Sequence, residues 1–217
     1  MKTDSQIQMD VMAQLKWDPL LIANEIGVAV KNGIVTLAGT VDTFSKKIAA
    51  EAAAKKIVGV KGVALDIDVI PSHSTKRNDS QIAEAVVNAL RWDTKVPDEK
   101  ISTSVEDGWV TLEGIVEWEF QISAAYDAVK NLLGVKGLTN LIKIVPKIQS
   151  SEIRQKIAAA FERIATLEVE RIKINIIGSK VLLNGTVRSL AEKEDAQTAA
   201  FAAPGVTEVQ NDLLVES

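Results

Sequence analysis

The residues that could do chemistry in this chain are few, and each is placed where the chemistry is hard to perform. His73 is the single histidine of 217 residues and sits in "PSHSTKRN" beside Pro71 and Ser72. A Ser-His-Asp relay needs an imidazole held by surrounding structure, and a zinc site needs several His or Cys ligands. His73 therefore reads as a solvated linker residue. With no cysteine in the chain, thiolate ligands, cysteine nucleophiles and disulfides are excluded. The carboxylate pairs Asp98-Glu99, Glu106-Asp107 and Glu192/Glu194 lie in turns or helix starts. Acid–base work needs burial or neighbours that shift a pKa, and solvation is the default in such places. Asp66 and Asp68 flank Ile67 and read first as two exposed positions on a strand, with a hard-cation contact as the alternative. Neither a phosphate loop nor a dinucleotide fingerprint occurs. No catalytic residue, metal site or cofactor is assigned, and the chain is expected not to be an enzyme.

Binding chemistry is better represented. Trp17 and Trp92 recur, each followed by Asp, at the end of a helical pattern. Such a tryptophan either caps a small core, the plainer reading, or offers its amphipathic ring to a membrane interface or a partner. Trp109, Trp118 and Phe120 concentrate in the middle of the chain, where they either pack within the molecule or make an inter-repeat or protein contact, and the flanking Glu117 and Glu119 disfavour an anionic membrane there. Lys46, Lys47, Lys55 and Lys56 mark a helix that is either an ordinary solvated face or a surface for anionic headgroups.

The elements that must hold these residues are written three times. "NGIVTLAGTV" at 32–41 returns as "DGWVTLEGIV" at 107–116 and as "GSKVLLNGTV" at 178–187. A shift of 75 residues also superposes "DSQI", "LKWD" on "LRWD", and "GVKG", with about 25 of 67 positions identical and no gap, so the first two copies are near twins. Within each copy, Ile7, Val11 and Leu15, then Ile82, Val86 and Leu90, then Ile153, Ile157 and Phe161 have helical spacing. Ser5 and Gln8 suggest a capping box ahead of the first. Alternating runs around Asn32-Gly33 and Asp107-Gly108 signal a β-hairpin. An alanine-rich helix follows (Ala50, Ala53 and Ala54; Ala125, Ala128 and Val129; Ala196, Ala199 and Ala200), and then a last strand such as Val63–Val69. Gly33, Gly39, Gly59, Gly108, Gly114, Gly134, Gly185 and Gly205 are read as structural glycines of turns, strand ends and helix stops. The predicted fold class is α+β: three tandem αββαβ domains at 1–72, 78–146 and 149–217. Each is a three-stranded mixed sheet covered on one face by two helices, and the strand order is left open. Units of this size bury modest cores, so packing of one against another is expected.

A net charge of -4 with interspersed signs argues against a general nucleic-acid binder. No apolar run is long enough to span a bilayer. The stretch "MKTDSQIQMDVMAQLKWD" carries no secretory signal, so a cytoplasmic location is expected, and a periplasmic one only if a leader has been removed.

With "V-x-L-x-G-x-V" on the second strand and "G-V-x-x-V-x-N-x-L-x-V" on the third, the unit resembles the BON domain, a small bacterial module. The third copy carries the last pattern in full, through Gly205, Val206, Val209, Asn211, Leu213 and Val215. The second has Leu138 and Ile142 around Asn140, and the first has Leu65 in place of the Asn. The resemblance implies a non-enzymatic binding or adaptor module of osmotic or envelope stress. It implies contact with phospholipid surfaces or envelope proteins, with three weak sites acting together. Two alternatives accompany it: a self-assembling scaffold forming homo-oligomers, and a cytoplasmic sensor of a small ligand or an ion such as potassium. Positions where the copies disagree, such as Ile34, Trp109 and Lys180, are expected to carry the differences in binding.

Overall fold

The structure is a computed structural model that describes residues 2–145, 171–203 and 205–216. The first repeat holds α1 (Asp4–Trp17), β1 (Ile26–Lys31), β2 (Ile34–Val41), α2 (Phe44–Lys55) and β3 (Gly62–Val69). The second holds α3 (Asp79–Trp92), β4 (Ile101–Glu106), β5 (Trp109–Val116), α4 (Glu119–Lys130) and β6 (Gly137–Ile144). The third holds β7 (Ile172–Ile177), β8 (Lys180–Val187), α5 (Leu190–Phe201) and β9 (Glu208–Val215). The helix expected over Ile153, Ile157 and Phe161 and the linker at 146–150 lie outside the described residues.

Each sheet is ordered β1-β2-β3, β4-β5-β6 and β7-β8-β9, so the stretch written three times is the central strand. The hairpin pairs are antiparallel. The last strand is parallel to the central one in the second and third sheets, where α4 and α5 make the crossover that a parallel connection requires. The mixed α+β architecture is therefore as expected. Val35 and Leu37, Val110 and Leu112, and Val181 and Leu183 are fully buried on the helix-covered face. They meet Ile7, Val11 and Leu15 of α1, their counterparts Ile82, Val86 and Leu90 of α3, and Ala50, Ala53 and Ala54 of α2, Ala124 and Ala125 of α4, and Ala196, Ala199 and Ala200 of α5, all buried. The small alanine side chains let the second helix lie close to its sheet.

The described residues fall into two compact bodies. One takes in Thr40–Ile48 and the described chain from Ile67 to Val145, with the second sheet and its helices; the other takes in the rest of the first repeat and the described part of the third. In the former, Phe44 is buried in the core formed by Ile82, Val86, Leu90, Val110 and Leu112, and Ile48 and Val69 pack against it. The second repeat thus completes its modest core with apolar groups from the end of the first.

The capping box lies two residues ahead of the Ser5/Gln8 reading. Thr3 caps α1, accepting from the Gln6 backbone N–H at 3.3 Å while Gln6 Oε1 accepts from the Thr3 N–H at 2.9 Å. Asn78 and Gln81 repeat this at α3, at 2.9 and 3.1 Å. Gln8 instead donates to the Val28 carbonyl at 2.7 Å. The repeated "DSQ" has a second use. Asp4 accepts the backbone N–H groups of Asn32 and Gly33 at 2.8 and 2.9 Å, and Asp79 accepts those of Asp107 and Gly108, both at 2.9 Å. The first helical residue therefore holds the hairpin turn, whose Asn32 and Asp107 take φ of 54° and 50°. Gly39, Gly114 and Gly185 mark a close backbone approach. A Cβ at these positions would stand 2.0, 2.2 and 2.0 Å from the carbonyl oxygens of Glu25, Lys100 and Arg171.

Candidate functional site

The recurring Trp-Asp closes the first helix of each of the first two repeats, and the two residues do different work. Asp18 Oδ1 accepts the Leu20 N–H at 2.9 Å, and the Asp18 carbonyl accepts the Leu21 N–H at 3.1 Å. This turn sends Leu21 into the core and leaves Leu20 and Ile22 exposed. Asp93 builds the same turn, with Oδ1 to the Lys95 N–H at 2.9 Å and its carbonyl to the Val96 N–H at 2.9 Å, and Val96 is buried. The tryptophans point the other way. Trp17 is 83% exposed and Trp92 84%. The reading of these rings as core caps is therefore overturned: Leu21 and Val96 close the core in their place. Around Trp17 the end of the first repeat is apolar, through Leu20, Ile22 and Met12, with Lys16 beside it. Around Trp92 it is more polar, with Arg91 near Asp98 at 3.8 Å.

Trp109 is half exposed on the face of the second sheet that no helix covers. Its Nε1–H donates to Thr139 Oγ1 at 2.8 Å, and the ring stands over Gly137, where a Cβ would come within 2.3 Å of it. In the first repeat Ile34 lies over Gly62 in the same way. In the third, Lys180 pairs with the facing Glu208 at 2.7 Å. Trp118 and Phe120 are exposed at the start of α4, and their acidic neighbours are engaged. Glu117 pairs with Lys100 at 3.2 Å, and Glu119 accepts from Ser123 Oγ at 2.6 Å.

The lysines proposed for anionic surfaces are largely spent inside the fold. Lys46 is paired with Asp42 at 2.7 Å through charge without an aligned hydrogen bond. Lys47 Nζ donates to the Ile67 carbonyl at 2.7 Å, as Lys193 in the third repeat does to Leu213 at 2.6 Å. Lys55 binds Glu51 and Glu194. Burial lowers its pKa, but the hydrogen bonds and charges of Glu194 and Glu51 outweigh burial and leave it raised above 10.5. Lys56 is exposed. His73 is likewise exposed.

All eight glycines read as structural have positive φ, from 77° at Gly33 to 157° at Gly114. The Asn of the third-strand pattern is an internal strut. Asn211 Nδ2 donates to the Lys193 carbonyl at 2.8 Å and its Oδ1 accepts the Leu213 N–H at 3.3 Å, tying β9 to α5. Asn140 bridges β6 and α4 at 3.4 and 3.2 Å. Among the described residues no group of three His, Asp or Glu side chains could hold a metal ion, and no helix is long and apolar enough to cross a membrane.

Comparison with known proteins places these features. The BON domain model matches residues 3–71, 78–146 and 149–217. The osmotically inducible protein Y of Escherichia coli (strain K12) is 28% identical over 148 residues, covering 63% of this chain and 72% of that protein. Two solved structures of CdsD, a structural protein of the type III secretion system of Chlamydia trachomatis, align at 15% and 14% identity. They cover 96% and 100% of this chain and 91% and 100% of theirs, with TM-scores of 0.25 and 0.26. Overlays that loose carry no structural argument.

Proposed function

The chain belongs to the BON domain family, and on that premise we propose that it is a non-enzymatic adaptor that docks on phospholipid surfaces through tryptophan-tipped ends of its repeats. One observation carries this reading: Trp17 and Trp92 occupy the same place in two copies, are 83% and 84% exposed, and contribute little to either core. An indole ring held at the surface beside apolar Leu20 and Ile22 suits the membrane–water interface, where one end of the ring stays wet. Because Lys46, Lys47 and Lys55 are engaged internally, ring and aliphatic contact should carry most of the affinity, with charge as the lesser part. Several weak contacts on one chain add through avidity. A role in osmotic or envelope stress and a cytoplasmic location are parts of the same proposal.

Co-sedimentation with phosphatidylglycerol and phosphatidylcholine vesicles, at low and high salt, tests it. Binding that survives high salt is expected, since the Debye length falls to about 3 Å at 1 M and removes the electrostatic share. Absence of binding under every condition, with folding confirmed by circular dichroism, would reject it.

A second reading rests on Trp118 and Phe120, exposed at the start of α4. These could join copies of the chain into a homo-oligomeric scaffold. Light scattering on the wild type and on a Trp118→Ala/Phe120→Ala variant separates the cases: a monomer in both rejects self-assembly.

A further inference from the structure

The second repeat carries an open cleft of about 480 Å³ where the chain entering α3 passes the hairpin turn of its own sheet. Val69, Ile70 and Pro71 form an apolar wall, and the turn at Asp107-Gly108 and the helix stop at Gly134 lie across from it. Lys76, Arg77 and Lys136 also line it.

The charges in this cleft are unbalanced. Among the described residues, the ammonium groups of Lys76 and Lys136 have no acidic partner, as is also true of several other surface lysines such as Lys56 and Lys61; what sets this pair apart is that both line one cleft together with Arg77. The Arg77 guanidinium donates to the carbonyls of Ser74 and Lys76 at 3.1 and 2.8 Å, which orients its fork without neutralising it. Two carboxylates share the cleft, but Asp79 is occupied by the N–H groups of Asp107 and Gly108. That leaves three cations against the one uncommitted carboxylate of Asp107. The end of α3 is not what draws a ligand, since Asn78 already caps it.

The other copies lack this arrangement. In the first repeat the place of Arg77 is taken by Lys2, which is paired with Asp10 at 2.7 Å. In the third, Lys136 is replaced by Thr207, which bonds Ser179 at 3.0 Å. Three neighbouring cations without counter-ions repel one another, and an anion of matching size relieves that repulsion. Arginine and lysine together suit the oxygens of a phosphate, the arginine through its fork and the lysines as point charges.

We propose that this cleft is a binding site for a phosphate-bearing ligand, with the phosphate at Lys76, Arg77 and Lys136 and the remainder of the ligand along Val69–Pro71. The phosphate can belong to a free small molecule or to a phospholipid headgroup, and the experiment distinguishes them. The full-length chain is titrated with inorganic phosphate, against chloride at matched ionic strength, by following backbone amide resonances. In parallel, co-sedimentation with phosphatidylglycerol vesicles is measured. The comparison variant is Lys76→Gln/Lys136→Gln, whose two sites are exposed, so that the rest of its spectrum reports an intact fold.

The expected result is a saturable shift of Gly108, Gly134 and Lys136, weakened about tenfold or more in the variant, as loss of charged hydrogen bonds implies. The corresponding Gly33, Gly59 and Lys61 of the first repeat stay still. Saturation by phosphate identifies a free anion. Vesicle binding that the variant loses, without saturation by phosphate, identifies a headgroup. No cleft-dependent effect in either arm, or equal shifts in the variant or in the first repeat, overturns the site. Trp17→Ala/Trp92→Ala should leave the phosphate titration unchanged, so failure of this site and failure of the tryptophan docking are separately visible.

Discussion

Replacing Trp17 or Trp92 by alanine separates a ring kept for folding from one kept for binding. A tryptophan side chain buries about 150–250 Å² when fully covered, worth about 4–6 kcal/mol at roughly 25 cal/mol per Å². These rings already leave more than four-fifths of their surface in water in the free chain, at 83% and 84% exposure. Little of that sum is spent on folding. Each single substitution should therefore change stability by no more than about 0.5 kcal/mol, the usual range for a surface site. In a domain of this size that is under about 4 °C in Tm. At a bilayer interface about half of the ring is dehydrated, so each substitution should remove about 2–3 kcal/mol of vesicle affinity. That is roughly a 30- to 150-fold weaker partition coefficient, at 1.4 kcal/mol per tenfold. Differential scanning calorimetry gives the first quantity, and tryptophan emission in a vesicle titration, supported by co-sedimentation, gives the second. A loss of several kcal/mol in stability would refute the exposed placement. Unchanged stability with unchanged vesicle binding would refute the docking and leave the rings without a role in lipid contact.

Three further outcomes follow from particular contacts. Asp79→Ala removes the acceptor of two turn N–H groups and should lower the stability of the second repeat by about 2 kcal/mol, seen as a lower urea midpoint with an unchanged slope. Gly137→Ala places a Cβ within 2.3 Å of the Trp109 ring, so the indole must swing off the sheet and lose Thr139; a red-shifted emission in a Trp17→Phe/Trp92→Phe/Trp118→Phe background would show it. The pKa of Lys55 is raised in the fold by Glu194 and Glu51, so its pairing contributes fully below the unfolded value of 10.5 and is lost as pH rises through the higher folded value. Stability should hold in this contribution up to about pH 10 and decline above it, by about 1 kcal/mol or less, and Lys55→Met should abolish that increment of the decline in alkaline melts.

Local rules made much of this fold legible. The Asn-Gly and Asp-Gly turns, the i, i+4, i+8 apolar triplets of the first two copies and the period of 75 each state a geometry within a few residues, and the hairpins and helices there follow from them. What escaped depended on groups distant in sequence. Nothing in "TDSQIQ" says that Asp4 will reach a turn 28 residues on, whereas the Thr3/Gln6 capping box is a local pattern that the Ser5/Gln8 reading displaced by two residues. The parallel pairing of β6 with β5 is a tertiary outcome, as is the insertion of Phe44 into the second core. The exposure of the tryptophans was hidden for a local reason. "WDPLLI" offers four apolar side chains to one core position, and the Asp18 turn, absent from any hydrophobic pattern, decides that Leu21 takes it.

That decision changes where function should be sought in a repeated chain. Positions at which the copies differ look like the natural carriers of specificity, and 34, 109 and 180 differ as much as any. Yet each solves the same cross-strand problem in its own way: isoleucine over Gly62, tryptophan over Gly137 with a bond to Thr139, lysine against Glu208. Each of the three therefore has a packing or pairing role on its sheet, even though the residue faced is a glycine in both of the first two copies. Trp17 and Trp92 present the reverse case. The first two copies agree there while the third has Arg163, although no buried contact requires the ring, and the folding task at that corner is discharged by Leu21 and Val96. Agreement at a surface position that folding leaves free has to be explained by something outside the fold. Lys76 and Lys136 point the same way only through their placement, since they gather with Arg77 in one cleft and, among the described residues, take no part in the fold's own ion pairs. Side chains that the folded chain does not use for itself are therefore the better guide to what it meets.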